Sequence, residues 1–143
     1  MAPQVLLLLA TVVSVWANDS FAYIVGSTLG RHRMAPRISP NKSWEGFAAG
    51  TLFTIVVWLL TYYLVRERVP DWPLTLGWHA AIGVAVSIAT ATGDLFESRL
   101  KREAGVKDSG TLLPGHGGFL DRHDSLILVS VVAYWMIAWA GVR

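Results

Sequence analysis

The sequence predicts an all-α fold: a polytopic membrane helix bundle of about four transmembrane helices with a polar cleft at its cytoplasmic side. Three observations predict it. Of the 143 residues, 53% are hydrophobic and only 15% charged, and the mean hydropathy is +0.45, a composition of membrane proteins. Apolar runs recur at lengths near the roughly 20 residues that a spanning helix needs. The charges, finally, gather mainly in two segments, residues 30–43 and 94–124, and leave the long runs almost bare. With no cysteine, disulfides and thiolate metal sites are excluded. No internal repeat or low-complexity stretch divides the chain, so residues 1–143 read as a single integral-membrane domain.

The first span runs from about Val5 to Leu29 and carries Asn18-Asp19-Ser20 within it. A carboxylate inside a membrane is costly and by default faces a polar cavity or a partner. Asp19, Tyr23, Gly26 and Gly30 recur at helical spacing, so one stripe of this helix is polar or small and forms a wall of a cleft. A secretory signal peptide with Val5 to Trp16 as its apolar region is the competing reading; no Lys or Arg precedes the run, which counts against it. Residues 30–43 carry Arg31, Arg33, Arg37 and Lys42, while Pro36 and Pro40 forbid a regular helix, giving a basic loop. Its plain role is a topology signal.

Ser43 is the expected N-cap of a second span, Trp44 to Val65, with Glu45 in its first turn. Gly46 and Gly50, like Gly26 and Gly30, are small-xxx-small pairs that serve helix packing. Arg66 to Pro73 is a turn too short to carry a site. The third span, Leu74 to Gly93, has His79 near its start as an interfacial side chain. Beyond it Asp94, Ser98 and Lys101 share one helical face with Glu97 beside them, and Gly105 caps the end. A fourth span, Leu126 to Val142, is short unless it tilts or begins near Phe119. Four spans put Arg31, Arg33, Arg37, Lys42, Arg99, Lys101, Arg102, Lys107 and Arg122 on one side, against Arg66, Arg68 and Arg143 on the other. The excess of positive charge marks the first side as cytoplasmic.

The longest polar segment, Ser98 to Asp124, holds both signs of charge. Lys101, Arg102 and Lys107 suit phosphate oxygens, and Asp108, Asp121 and Asp124 suit a hard cation. Gly115, Gly117 and Gly118 flank His116 and allow backbone to approach a ligand closely. The combination fits a polyphosphate and a divalent metal; the plain alternative is a solvated loop between two membrane helices. Zinc held by His116, Asp121 and His123 matches no closed tetrahedral spacing, and Gly26 to Arg31 lacks the ending of a P-loop.

The order of these residues resembles the signature of the phosphatidate cytidylyltransferases. It runs through Ser98, Leu100, Lys101-Arg102, Lys107-Asp108, Gly110, Leu113-Pro114, His116-Gly117-Gly118-Phe119, Asp121-Arg122 and Asp124. His123 departs from the pattern, standing where the family has an apolar residue or Thr. Upstream, the likeness extends through Asn18-Asp19, Ala22-Tyr23, Gly30-Arg31 and Ser39-Pro40-Asn41-Lys42-Ser43 with Glu45-Gly46, and so covers nearly the whole chain. The resemblance implies the transfer of CMP from CTP to phosphatidate in phospholipid biosynthesis, and it identifies the chain with the family's C-terminal catalytic half, without the N-terminal helices.

In the roles it implies, Asp94, Asp121, Lys101 and Ser98 are catalytic, and Asp94 and Asp121 hold Mg²⁺, with a second, monovalent cation admitted. Asn18, Asp19, Asn41, Lys42, Arg102, Lys107, Asp108, His116, Gly117, Gly118, Arg122 and Asp124 meet substrate. The implied partners are CTP, phosphatidate and the bilayer, with a second copy or the missing N-terminal half completing the protein, and no nucleic acid. Two other readings stay open: a non-catalytic membrane subunit or inactive fragment, and a CTP-dependent enzyme acting on another lipid phosphate.

Overall fold

The computed structural model describes residues 3–106 and 120–141, of which 120–124 are described as backbone alone. Four helices follow one another: α1 (Pro3–Thr28), α2 (Trp44–Arg66), α3 (Leu76–Glu103) and α4 (Leu120–Trp139). A short hairpin of β1 (Arg33–Ala35) and β2 (Ser39–Ser43) stands between α1 and α2. Each helix packs on the next in sequence, and α1 also touches α3 and α4, so the four close into a bundle.

Helix ends obey local chemistry. The Ser43 hydroxyl accepts the Gly46 amide at 3.2 Å and the Thr75 hydroxyl accepts that of Trp78 at 3.2 Å, which caps α2 and α3. At the end of α3, Gly105 takes a φ of +69°. The Val106 amide then reaches the Lys101 carbonyl and the Gly105 amide that of Arg102, a Schellman closure that a side chain at Gly105 would strain. α1 runs unbroken through Asn18-Asp19-Ser20.

Three helices, α1, α2 and α3, are long and apolar enough to cross a membrane, whereas the apolar part described in α4, Ser125–Trp139, is shorter. The distribution of side chains agrees with a lipid environment. Leu8, Trp16, Leu60, Tyr134 and Trp135 are each more than half exposed, an apolar surface that water would penalise and acyl chains would not. The interior is small and polar as well as apolar: Ser14, Asn18, Thr54, Ser87 and Thr90 are buried beside Trp58, Ile82, Val86 and Val129. The Thr54 and Thr90 hydroxyls fold back onto the preceding turn, to the Gly50 and Val86 carbonyls, both at 2.9 Å, and that of Ser87 meets Thr51 Oγ1 at 2.7 Å. These buried hydroxyl protons are thereby satisfied within the bundle.

Close approach of α1 and α2 rests on glycine. A Cβ placed at Gly46 would lie 2.5 Å from the Ala22 carbonyl oxygen, and one at Gly50 would lie 2.9 Å from that of Asn18. The small-residue pairs thus act as packing surfaces, as their spacing implies. His79, expected at the interface, is instead fully buried. Its ring lies beside Trp58 and Tyr62, with Nδ1 3.0 Å from the Thr75 carbonyl oxygen. His79 lies in the first turn of α3, where its ring is covered by α2 through Trp58 and Tyr62.

Candidate active site at the polar end of the bundle

The basic loop folds as a hairpin rather than as irregular chain. Pro36 and Arg37 form its turn, closed by the Ile38 amide donating to the Ala35 carbonyl at 3.1 Å, and the fixed φ of proline suits the second position of such a turn. The strands pair antiparallel with Arg33 opposite Ser43 and Ala35 opposite Ser39, and the register is irregular between. Glu45 ties the hairpin to α2: its carboxylate accepts the His32 backbone amide at 3.2 Å and lies 2.6 Å from His32 Nδ1. A two-stranded ribbon is marginal alone; these anchors hold it over the helix ends.

Through that placement Lys42 reaches α3. Its Nζ lies 2.5 Å from Asp94 Oδ2, and both side chains are only partly buried. An ion pair open to solvent contributes about 0–1 kcal/mol, so Lys42 can exchange Asp94 for another anion at little cost. Ser98 Oγ donates to Asp94 Oδ1 at 3.4 Å one turn further along. On the neighbouring face Lys101 Nζ donates to Glu97 Oε2 at 2.9 Å, in a pair that is mostly buried. The shared face of Asp94, Ser98 and Lys101 therefore divides in two, with Ser98 turned to Asp94 and Lys101 turned to Glu97.

Asp94 and Lys42 line a cavity of about 240 Å³ together with Asp19, Asn41 and Tyr23. Three separate parts of the chain supply it: α1 gives Asp19 and Tyr23, the hairpin gives Asn41 and Lys42, and α3 gives Asp94. Met34 and Phe47 add an apolar side, and Tyr23, 76% exposed, stands at the mouth. Asn18 borders the same cavity but is 3% exposed, and both hydrogens of its amide go to hydroxyls, Thr54 Oγ1 at 3.1 Å and Ser87 Oγ at 2.7 Å. Arg102 lies on the last turn of α3. Among the described residues, no three His, Asp or Glu side chains gather as a metal cluster.

Asp121, Arg122 and Asp124 begin α4, and the direction of that helix fixes which end of the bundle they occupy. Ala133, Tyr134 and Ile137 of α4 lie against Gln4, Leu7 and Leu8 at the start of α1. The opposite end of α4, with the Asp121 backbone, therefore lies toward the end where α3 carries Asp94. Lys107, Asp108, His116, Gly117 and Gly118 lie outside the described residues. Sequence reasoning had no signal for Thr51 or Thr54, because one hydroxyl in an apolar helix looks like any other.

These features define an integral-membrane helix bundle whose charged end encloses a cleft of carboxylate, amide and ammonium groups. The chain belongs to the cytidylyltransferase family, whose sequence model matches residues 2–140. It is 46% identical over 125 residues to a phosphatidate cytidylyltransferase of Mycobacterium bovis, an alignment covering 87% of this chain and 39% of that protein. Phosphatidate cytidylyltransferases of Bacillus subtilis and Thermotoga maritima are each 43% identical to it over 126 residues, covering 88% of this chain and 45% and 47% of theirs. The chain thus spans less than half the length of these curated relatives.

Proposed function

We propose that this chain carries the catalytic machinery for transferring CMP from CTP to phosphatidate, giving CDP-diacylglycerol and pyrophosphate. The observation that carries the reading is the convergence of Asp19, Asn41, Lys42 and Asp94, from α1, the hairpin and α3, on one cavity at the charged end of a membrane bundle. Membership of the family, and relatives that bear this activity as their name, support it.

In the reaction an oxygen of the lipid phosphate attacks the α-phosphorus of CTP; the new O–P bond forms as the bond to the bridging oxygen of pyrophosphate breaks. The nucleophile is already an anion, so no Ser-His-Asp or Cys-His arrangement is required. The protein must bring two anions together in line and offset the charge that spreads onto the leaving group. Lys42 suits that task, since it can leave Asp94 for a phosphate oxygen, with Asn41 beside it as a neutral donor. Lys101, Arg102, Lys107 and Arg122 are the further cations assigned to phosphate, and Asp108, Asp124 and the turn at His116-Gly117-Gly118 complete the substrate site. Ser98 holds the Asp94 carboxylate in orientation.

The donor set fits Mg²⁺, which takes one or two protein carboxylates and fills its shell with phosphate oxygens and water. Asp94 and Asp121 would hold it, with Asp19 across the cleft from Asp94 as support. Bound there, it would supply charge neutralisation and a template for the triphosphate. The cleft faces the cytoplasm in this reading, on the strength of nine basic residues in its two flanking segments against three elsewhere.

The test is an assay of the purified chain in detergent for CMP transfer from CTP to phosphatidate, with and without Mg²⁺. Product that depends on both CTP and Mg²⁺ is expected. Its absence under conditions where the chain is folded would overturn the assignment.

A further inference from the structure

We propose that Asn18 is a positioning residue that sets the spacing of the two cleft carboxylates, Asp19 and Asp94, through a buried and fully directed hydrogen-bond network. The proposal rests on the site described above and extends it to residues that touch no substrate. Thr54 gives its proton to the Gly50 carbonyl at 2.9 Å, so its oxygen is left to accept from Asn18 Nδ2 at 3.1 Å. Thr51 gives its proton to the Phe47 carbonyl at 2.8 Å. Ser87, 2.7 Å from Thr51 Oγ1, must then donate to it and in turn accept from Asn18 Nδ2 at 2.7 Å.

Two chains of donors therefore leave one amide and end on backbone carbonyls of α2. Both amide hydrogens are consumed, so Asn18 has none to offer a nucleotide or lipid, although it borders the cleft. Its place explains what the network does. Asn18 precedes Asp19 on α1, and Ser87 lies two helical turns before Asp94 on the same side of α3. α1 and α3 otherwise meet little: α1 packs chiefly on α2, and α3 is shared between α2 and α4. The bond from Asn18 to Ser87 links them directly, a short way below the two carboxylates. In an apolar surround such a bond is seldom given up, because each orphaned group costs about 1–3 kcal/mol.

The test uses the full chain in detergent, with Mn²⁺ as the probe and electron paramagnetic resonance as the readout, beside steady-state turnover of CTP. Asn18→Ala and Ser87→Ala should each weaken Mn²⁺ binding by about tenfold, the scale for losing a group that orients a ligand. The double variant should be little worse than either, because both break one linkage. Turnover should fall in kcat with the KM for CTP unchanged. Ser87→Ala removes a single hydroxyl and leaves the amide its Thr54 partner, so it keeps the test valid if Asn18→Ala does not fold. A silent Ser87→Ala, strictly additive losses, or a raised KM for CTP in Asn18→Ala would overturn the proposal. Mn²⁺ binding is read without catalysis, so a chain that turns over no CTP defeats the proposed function alone.

Discussion

The two ends of this bundle bury polar groups in opposite ways. At the hairpin end, Lys42 and Asp94 come from distant segments and meet beside a cavity, with the pairs Lys101–Glu97 and His32–Glu45 nearby. At the other end His79 is sealed among Trp58 and Tyr62, and its Nε2, like Trp58 Nε1, has no hydrogen-bond partner among the described residues. Polar groups that enclose space and remain partly exposed can exchange partners with a ligand. Buried groups wedged into aromatic packing have no room to do so. A titratable residue inside a membrane helix is thus a functional candidate only when it borders a cavity, and His79 borders none of those described.

Substitutions can break that contrast. The largest effect is expected at Asp94: Asp94→Asn should lower Mg²⁺-dependent CTP turnover by about 10²–10³-fold while membrane insertion is unchanged, and Asp121→Asn should do the same. Near-normal rates in both would remove them from the metal site. Lys42→Met comes next, with an expected rise of roughly tenfold in the KM for CTP, the loss of one charge-assisted contact to phosphate. An unchanged KM would mean that Lys42 serves Asp94 alone.

Gly46→Val, at a residue that borders the cleft without a polar side chain, should lower stability by about 1–3 kcal/mol, because the added carbons meet the Ala22 carbonyl of α1; thermal unfolding in detergent reads it. The smallest effect is expected at the far end. His79→Phe keeps the aromatic packing, removes the unpartnered Nε2 and gives up the Nδ1 contact to the Thr75 carbonyl, which still accepts the residue 79 amide, so stability should change by only about 1 kcal/mol and turnover should hold. A large loss of turnover there would erase the distinction between the two ends.

Much of this was legible in the residues. The apolar runs gave the helices nearly to their ends, and Ser43 and Gly105 marked termini because their chemistry is local. Pro36 and Pro40 excluded a helix but could not announce a hairpin, since strand pairing depends on anchors such as Glu45. The stripe of Asp19 and Tyr23 pointed to a cleft wall, and Asp94 was marked by its helical face together with the family resemblance. What no periodicity carries is the choice of partner: Lys42 meets Asp94 and Asn18 meets Ser87 only once three helices are assembled. His79 was misplaced for the same reason, as an aromatic ring near a helix start reads alike whether it faces headgroups or Trp58.

α3, at 28 residues, measures about 42 Å, against roughly 30 Å for the hydrocarbon layer. Its surplus turns, from Glu97 onward, would rise past the acyl chains like a post, and the proposed site at Asp94 would sit just beneath the depth where phospholipid phosphates reside. On the proposed reading, the lipid substrate need not be drawn out of its leaflet; it has only to drift sideways past Tyr23, and its tails never leave oil.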